Sequence, residues 1–247
     1  MKISFISGCA AMVLPSLSVA QTANEEITLT YGAGIVGTSS YYVGQDDELL
    51  PFPILTATYG NWTADVTRGV RYTALSTDRT RLAVGLGYNF APDMPNAALF
   101  DGLDRDGNAE LVASVYHRFD QFDVGAELGA DVSSVHDGVR ADVSVGRSVS
   151  VGLFQIEGRL GVEYLDANFA AHLFGVGENE ATSARAAYSP GETWTPHIEL
   201  SAALPFENGT TLVGFFEYRR LPGAVGDSPL VAERDQTSVG ISFMRSF

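Results

Sequence analysis

The stretch Gln236-Thr-Ser-Val-Gly-Ile-Ser-Phe-Met-Arg-Ser-Phe247 decides how the chain is read. Val239, Ile241, Phe243 and Phe247 fall on one parity, and Ser238, Gly240, Ser242 and Ser246 on the other. Period two is the mark of a strand with one apolar and one polar face. Arg245 interrupts the apolar row near its end, where a charged head can snorkel toward an interface.

The same alternation recurs along the chain. It predicts strands near Ile27–Thr38, Pro53–Tyr59, Trp62–Thr67, Val70–Leu75, Arg81–Phe90 and Ala109–Phe119. Further strands follow near Phe122–Val132, Val139–Gly146, Phe154–Tyr164, His197–Leu204 and Leu212–Arg219, and the terminal stretch closes the series at about twelve. A soluble β-sandwich would alternate too, and the connections separate the two readings. Short turns are expected at Gly60-Asn61, Ser76–Asp78, Asp120-Gln121, Ser148–Val151 and Glu207–Gly209. They alternate with the long connections Ser40–Leu50, Ala91–Asn108, Ser133–Gly138, Asp166–Thr193 and Leu221–Asp235, and only Arg68-Gly69 is short on that side. An even strand number with one short-turn end and one long-loop end describes an all-β, antiparallel transmembrane β-barrel with both termini on the periplasmic side. Closure leaves no sheet edge, as hydrocarbon requires. Terminal Phe247 is then the residue that closes the sheet and serves as an assembly signal.

No uncharged apolar run after the N-terminus is long enough for a transmembrane helix, and a barrel needs none. The first residues read as a cleaved signal peptide, 1–20: Lys2, a mostly apolar Ile3–Leu17, and Ser18-Val19-Ala20 before Gln21. This leaves 21–247 as one barrel domain. Ile6-Ser7-Gly8-Cys9 is the competing lipoprotein box, but too little chain precedes it for a hydrophobic segment. With cleavage after Ala20 the mature chain has no cysteine and no disulfide. The formal net charge is −15 and Lys2 is the only lysine, which excludes the Lys/Arg clusters that nucleic acid demands.

The inward parity is charged in strand after strand: Arg71, Glu110, Asp123, Glu127, Arg140, Asp142, Glu157, Arg159, Glu163, Glu199, Glu217 and Arg219 among others. Such residues either line a wet pore or interlock and block it, since a charge left alone in a low-dielectric interior is costly. Gly32, Gly34, Gly85, Gly87, Gly125 and Gly129 suggest room in the lumen, or tight packing in a coiled sheet. Tyr59, Trp62, Phe90, Phe119, Phe122, Phe206 and Phe247 are expected near the short-turn end as an aromatic girdle.

Several stretches resemble one family, the MltA-interacting protein / OmpV outer-membrane proteins. They are Tyr42-Val43-Gly44-Gln45-Asp46-Asp47 with Leu50-Pro51-Phe52-Pro53, His136-Asp137-Gly138, Phe174-Gly175-Val176, and Arg220-Leu221 with Gly226-Asp227-Ser228-Pro229-Leu230-Val231. The terminal Phe247 fits, whereas the Met244-Arg245-Ser246 before it departs from the Tyr-Arg of many members. The resemblance implies an outer-membrane barrel without catalytic residues. Its named member is a scaffold for a lytic transglycosylase and a peptidoglycan synthase, and others are linked to adhesion or permeability.

Two constellations invite chemistry. Asp101, Asp104 and Asp106, with Asn108 and Glu110, form an acidic loop with oxygen ligands for a divalent cation. The EF-hand spacing fails, because Ala109 stands at the glycine position and Val115 at that of the bidentate Glu. A solvated acidic loop, with no metal or other cofactor, is the expectation. The pairs Asp46-Asp47 and His136-Asp137 lie on the long-loop side, where a carboxylate pair facing a His–Asp pair can activate water. Short polar dipeptides are common in loops, and no enzyme is expected. The resulting expectation is a non-enzymatic envelope scaffold or surface-interaction barrel. It would contact outer-membrane lipid and lipopolysaccharide and the assembly machinery, with lytic transglycosylases or peptidoglycan synthases as partners. The alternative is a narrow diffusion channel for small polar solutes.

Overall fold

The computed structural model describes residues 26–92, 94–95 and 97–247. The expected leader 1–20, with Cys9, lies outside the described residues. The strands are β1 (Thr28–Thr38), β2 (Glu48–Tyr59), β3 (Trp62–Asp65), β4 (Gly69–Ser76), β5 (Thr80–Asn89) and β6 (Asn108–Arg118). They continue as β7 (Asp123–Asp131), β8 (Val139–Val151), β9 (Phe154–Leu165), β10 (Thr193–Pro205), β11 (Thr210–Arg220) and β12 (Asp235–Ser246). Each pairs antiparallel with its sequence neighbours, and β1 also pairs with β12, which closes a twelve-stranded barrel.

The closing seam is where the terminal pattern predicts it. Ile241 faces Ile35 and Phe243 faces Ala33 across the β1–β12 ladder. The Phe247 amide donates to the Leu29 carbonyl at 3.0 Å and its ring stacks on Tyr31 at 5.3 Å. Arg245 lies with its guanidinium 5.0 Å from the centre of the Phe247 ring, so the one charge in the outward row is laid over an aromatic face.

The outward parity is apolar all round. Leu86, Leu128, Leu160 and Phe243 are 50–63% exposed. A belt of this kind far exceeds the apolar patches tolerated in water, and it matches hydrocarbon. Tyr59 and Trp62 sit at one short turn, Phe119 stacks on Phe122 at 4.7 Å at another, and Phe206 and Phe247 complete the girdle at that end. Phe90 departs from the expectation. It follows β5 at the long-loop end, edge-on to Tyr88 at 5.2 Å, because β5 runs away from the short turn that precedes it. Tyr164 and Trp194, 4.7 Å apart, also mark that end.

Two boundaries differ from the sequence expectation. Ser148–Val151 is strand, not turn. Val149 faces Ile156 and Val151 faces Phe154, and the reversal falls at Gly152, whose φ of +60° suits glycine. The serines alternate with valines, so the run keeps period two and needs no turn. β2 begins at Glu48 and runs through both Pro51 and Pro53. The longest loop also contains a helix, α1 (Ala167–Phe174), capped by Asp166, whose carboxylate accepts the Phe169 N–H at 2.9 Å. A shorter helix, α2 (Gly223–Gly226), lies between β11 and β12.

Candidate functional site

The inward charges form a lattice. Arg140 on β8 donates to Glu110 on β6 and to Glu127 on β7, both at 2.9 Å, and Arg71 on β4 meets Glu127 at 2.7 Å. Arg159 on β9 reaches Asp123 on β7 at 2.6 Å and Glu157 at 2.8 Å. Arg219 on β11 holds Glu163 on β9 at 2.9 Å and also Glu217. His197 on β10 sits 2.8 Å from Asp142 on β8 and 3.3 Å from Glu199. Many of these contacts skip one or two strands, so the side chains lie as chords across the inner wall and not along it. Arg159 and His197 are buried, as is Glu110. Charges this poorly hydrated persist because each is paired and hydrogen-bonded.

Gly129 and Gly146 belong to this lattice, whereas Gly34 lies under the Phe52 ring. A Cβ at Gly129 would come 2.7 Å from a Glu110 carboxylate oxygen, and one at Gly146 would come 2.7 Å from the Arg159 guanidinium. These two lattice positions are where long charged side chains lie flat against the wall.

Above the lattice the long loops fold together into the largest apolar cluster of the described chain. Tyr41 and Tyr42 come from the β1–β2 loop and Phe100 from the β5–β6 loop. Phe169, Ala170 and Phe174 come from α1, Val176 follows it, and Leu221, Val225 and Leu230 come from the β11–β12 loop. Ala170, Val225 and Leu230 have no exposed surface. A barrel with a lipid-facing exterior and a charged interior can build a dry core only here. Burial pushes the Tyr41 hydroxyl up to about 12 and raises Tyr42 well above its usual value.

The family-like motifs divide between this cap and its surface. Tyr42 packs edge-on to Tyr41 at 4.6 Å, its hydroxyl donates to the Leu173 carbonyl at 3.1 Å, and it bridges Val231. Gly44, with φ of +76°, turns the chain against Ala97. Ser228 is buried; its hydroxyl donates to the Phe174 carbonyl at 2.6 Å and accepts the Leu230 N–H at 3.2 Å. Pro229 is half-buried beside it, while Asp227 is exposed and paired with Arg234 at 2.5 Å. Asp46 and Asp47 are exposed, and Asp47 accepts the Ser40 N–H at 3.3 Å.

His136 and Asp137 do not form a dyad. The buried His136 ring accepts the Gly138 N–H at 2.9 Å and lies against Phe169, and Asp137 is exposed with φ of +54°. Among the described residues no hydrogen bond or ion pair joins Asp46 or Asp47 to His136. The organiser of this loop is Asp131. Its carboxylate accepts from the backbone of Ser133, Val135, His136 and Asp137 at 2.8–2.9 Å, and from the Ser133 hydroxyl at 2.7 Å.

Asp101, Asp104 and Asp106 are exposed and do not converge. Their backbone carbonyls are the groups in use, toward Arg185, Arg105 and His172 respectively. Among the described residues no group of three or more His, Cys, Asp or Glu side chains is arranged to hold a metal. Sequence reading missed the two arginines that bind the cap together. Arg105 grips Glu180 through both carboxylate oxygens, at 2.7 and 3.0 Å, and reaches the Gly175 carbonyl. Arg185, buried, ties the carbonyls of Leu99, Asp101 and Glu180. Arg105 stands within the acidic stretch that is read for its carboxylates alone, and Arg185 lies in no motif.

A closed barrel whose cap is built from these motifs is matched in sequence as well. Residues 31–247 fit the MltA-interacting protein MipA family. The chain belongs to this family. Within it, YiaT of Escherichia coli K12 is 28% identical over 90% of each chain, and the MltA-interacting protein of the same strain is 25% identical over 86% of this chain and 87% of its own. The outer membrane protein OmpV of Vibrio cholerae is 22% identical over 65% of this chain and 63% of its own. Among solved structures, the outer membrane channel DcaP of Acinetobacter baumannii covers 90% of this chain and 96% of its own, with 11% identity and a TM-score of 0.44. The family and the lipid-facing barrel together make this an outer-membrane protein.

Proposed function

We propose that this MipA-family barrel is a non-enzymatic envelope protein that works through its surfaces and does not conduct solutes along its axis. One observation carries the reading: paired charges from β4 to β11 interlock on the inner wall, and the long loops at that mouth fold into a dry cap. The His–Asp and Asp–Asp pairs that would have suggested hydrolysis are separately engaged or exposed. In this reading 21–247 is one barrel domain released from a 1–20 leader, both termini face the periplasm, and Phe247 is the assembly signal.

The partner class follows from the family. A relative is named for its interaction with the lytic transglycosylase MltA, and a peptidoglycan-remodelling enzyme is the partner proposed here. Docking would use the short-turn rim, where the exposed pair Arg79–Asp120 spans two turns at 2.9 Å. The test is capture of a purified lytic transglycosylase by the refolded barrel in detergent, with Arg79→Glu as the rim variant. Retention that Arg79→Glu abolishes supports the reading. No retention by the wild-type barrel, or retention indifferent to every rim substitution, contradicts it.

A further inference from the structure

The barrel wall is not equally complete all the way round. β3 and β4 form a short hairpin. β3 covers β2 only from Tyr59 up to Thr56, and a last hydrogen bond joins the Val66 N–H to the Leu55 carbonyl at 3.2 Å. On the other flank, β4 covers β5 only up to Val70 opposite Leu86. Above the turn at 66–68, among the described residues, Glu48–Ile54 of β2 pair with β1 alone, and Tyr88–Asn89 of β5 pair with β6 alone. The loops then meet overhead, where Gly44 lies against Ala97. The result is a framed window in the half of the wall nearer the long loops.

The sequence is adapted to that edge. The backbone groups of successive strand residues point to alternate sides. The Leu55 carbonyl faces β3, so the odd-numbered residues of β2 present their backbone to the window. Those residues include Pro51 and Pro53, which have no N–H to leave unpaired and cannot complete a ladder with another strand. Placed one residue along, either proline would have broken the β1–β2 ladder. The two prolines therefore silence the edge toward a medium without acceptors and discourage pairing with a second copy.

Behind the window the β2 side of the inner wall is apolar, whereas the β5 side carries Asn89, bonded to Asn108 of β6, and the buried Glu110 opposite Gly87. Leu50, Phe52 and Ile54 point inward from β2. The Phe52 ring lies over Gly34 and stands edge-on to Phe215 at 6.3 Å, and the Phe215 ring lies over Gly240. Outside, the flanks are Leu49, Leu55 and Leu86, exposed to lipid. We propose that this window is a lateral portal through which the hydrocarbon chain of a membrane amphiphile enters the lumen and lies against Phe52 and Ile54. The occupant follows from what borders the opening: bilayer hydrocarbon outside, the apolar β2 face inside, and between them a β2 edge that has no N–H at positions 51 and 53. A capped mouth and an open flank are compatible, so the proposal stands apart from the axial closure argued above.

The test is tryptophan quenching by lipid. In a Trp62→Phe, Trp194→Phe background, a single reporter is placed at Phe52→Trp, at Leu86→Trp as the lipid-facing control, or at Tyr116→Trp as an inward control on the charged wall. The full mature chain is refolded into dioleoyl phosphatidylcholine vesicles or into the same lipid brominated mid-chain. Heat-modifiability shows that each variant has folded, and Phe215→Trp replaces Phe52→Trp if the latter has not. The proposal expects brominated lipid to quench Phe52→Trp as it quenches Leu86→Trp, with Tyr116→Trp unchanged. Adding Ile54→Asp should abolish the Phe52→Trp quenching. A reporter at 52 as bright as that at 116 overturns the portal. So does quenching that survives Ile54→Asp, or a dark-to-lipid Leu49→Trp that reveals a protein chain on the edge.

Discussion

Arg71 on β4 and Glu127 on β7 meet at 2.7 Å across the two strands that separate them in the wall. Glu127 is held from the other side by Arg140, which also holds Glu110, so four side chains from four strands share one set of charges. The inside of this barrel is held by bridges of this kind, and the expectations below start from them.

Removing Arg140 leaves Glu110 without its arginine and Glu127 with Arg71 alone. Arg140→Met should destabilise the refolded barrel by about 3 kcal/mol, the low end for a broken buried pair, because Arg140 and Glu127 retain nearly a fifth of their exposure. Adding Glu110→Gln should recover part of the loss. Denaturant unfolding in lipid vesicles measures both. A single variant as stable as wild type would mean the lattice is not under electrostatic tension.

Ser228 joins the β11–β12 loop to the end of α1 through one hydroxyl. Ser228→Ala leaves the Phe174 carbonyl without that donor in a dry site, and should loosen the cap by about 1–3 kcal/mol. Limited trypsin digestion reads this directly, since Arg105 and Arg185 lie within the cap. Faster cleavage there, with the barrel core intact, is expected. An unchanged digestion rate would place the restraint elsewhere.

The cap should open at both ends of the pH scale. Burial is the main cause holding His172 below the ordinary histidine range, and His136 and Arg105 nearby add to it. The unfolded loop therefore binds a proton that the folded one refuses, and cap stability falls as pH drops below about 6.5. Tyr41 gives the opposite limb. Its free form ionises near about 10, whereas burial holds it to about 12, so stability falls as pH rises through that interval. Protection factors of the cap amides, taken relative to the intrinsic exchange rate at each pH, should be highest between these limits. An acid limb that persists in His172→Phe would assign it to another group.

The strands were legible because lipid outside and charge inside force period two on every one of them. The terminal row from Val239 to Phe247 is read correctly down to its seam with β1. The start of β2 is read late, at Pro53, since Pro51 argues against a strand unless one of its edges is open. Serines misled the end of β8, where small polar residues stand for an inward face and not for a turn. The cap was not legible. Arg105 and Glu180 are 75 residues apart and meet by the shape of two loops, which carries no period. The motif residues Tyr42 and Ser228 were noticed as motif, but their role as cap struts required the fold.

Leu86 and Leu128 face hydrocarbon at 58% and 50% exposure. Arginine at either should cost about 2–4 kcal/mol in vesicles. The inward neighbour Gly129 is no safer, because a side chain there meets Glu110 and the Arg140 guanidinium. Leu128→Arg and Gly129→Leu should both destabilise, the first less in thin bilayers and the second equally in all. Equal behaviour of the two across bilayer thickness would reverse the assigned faces.

Single-channel recording on the purified wild-type barrel in a planar bilayer tests the central claim most directly. With the inner wall lined by interlocked pairs such as Arg71–Glu127 and Arg159–Asp123 and the mouth covered by the Tyr42–Phe174–Leu230 cap, no steady open level should appear at neutral pH. A stable, ohmic conductance of porin size would contradict this account and make the protein a channel.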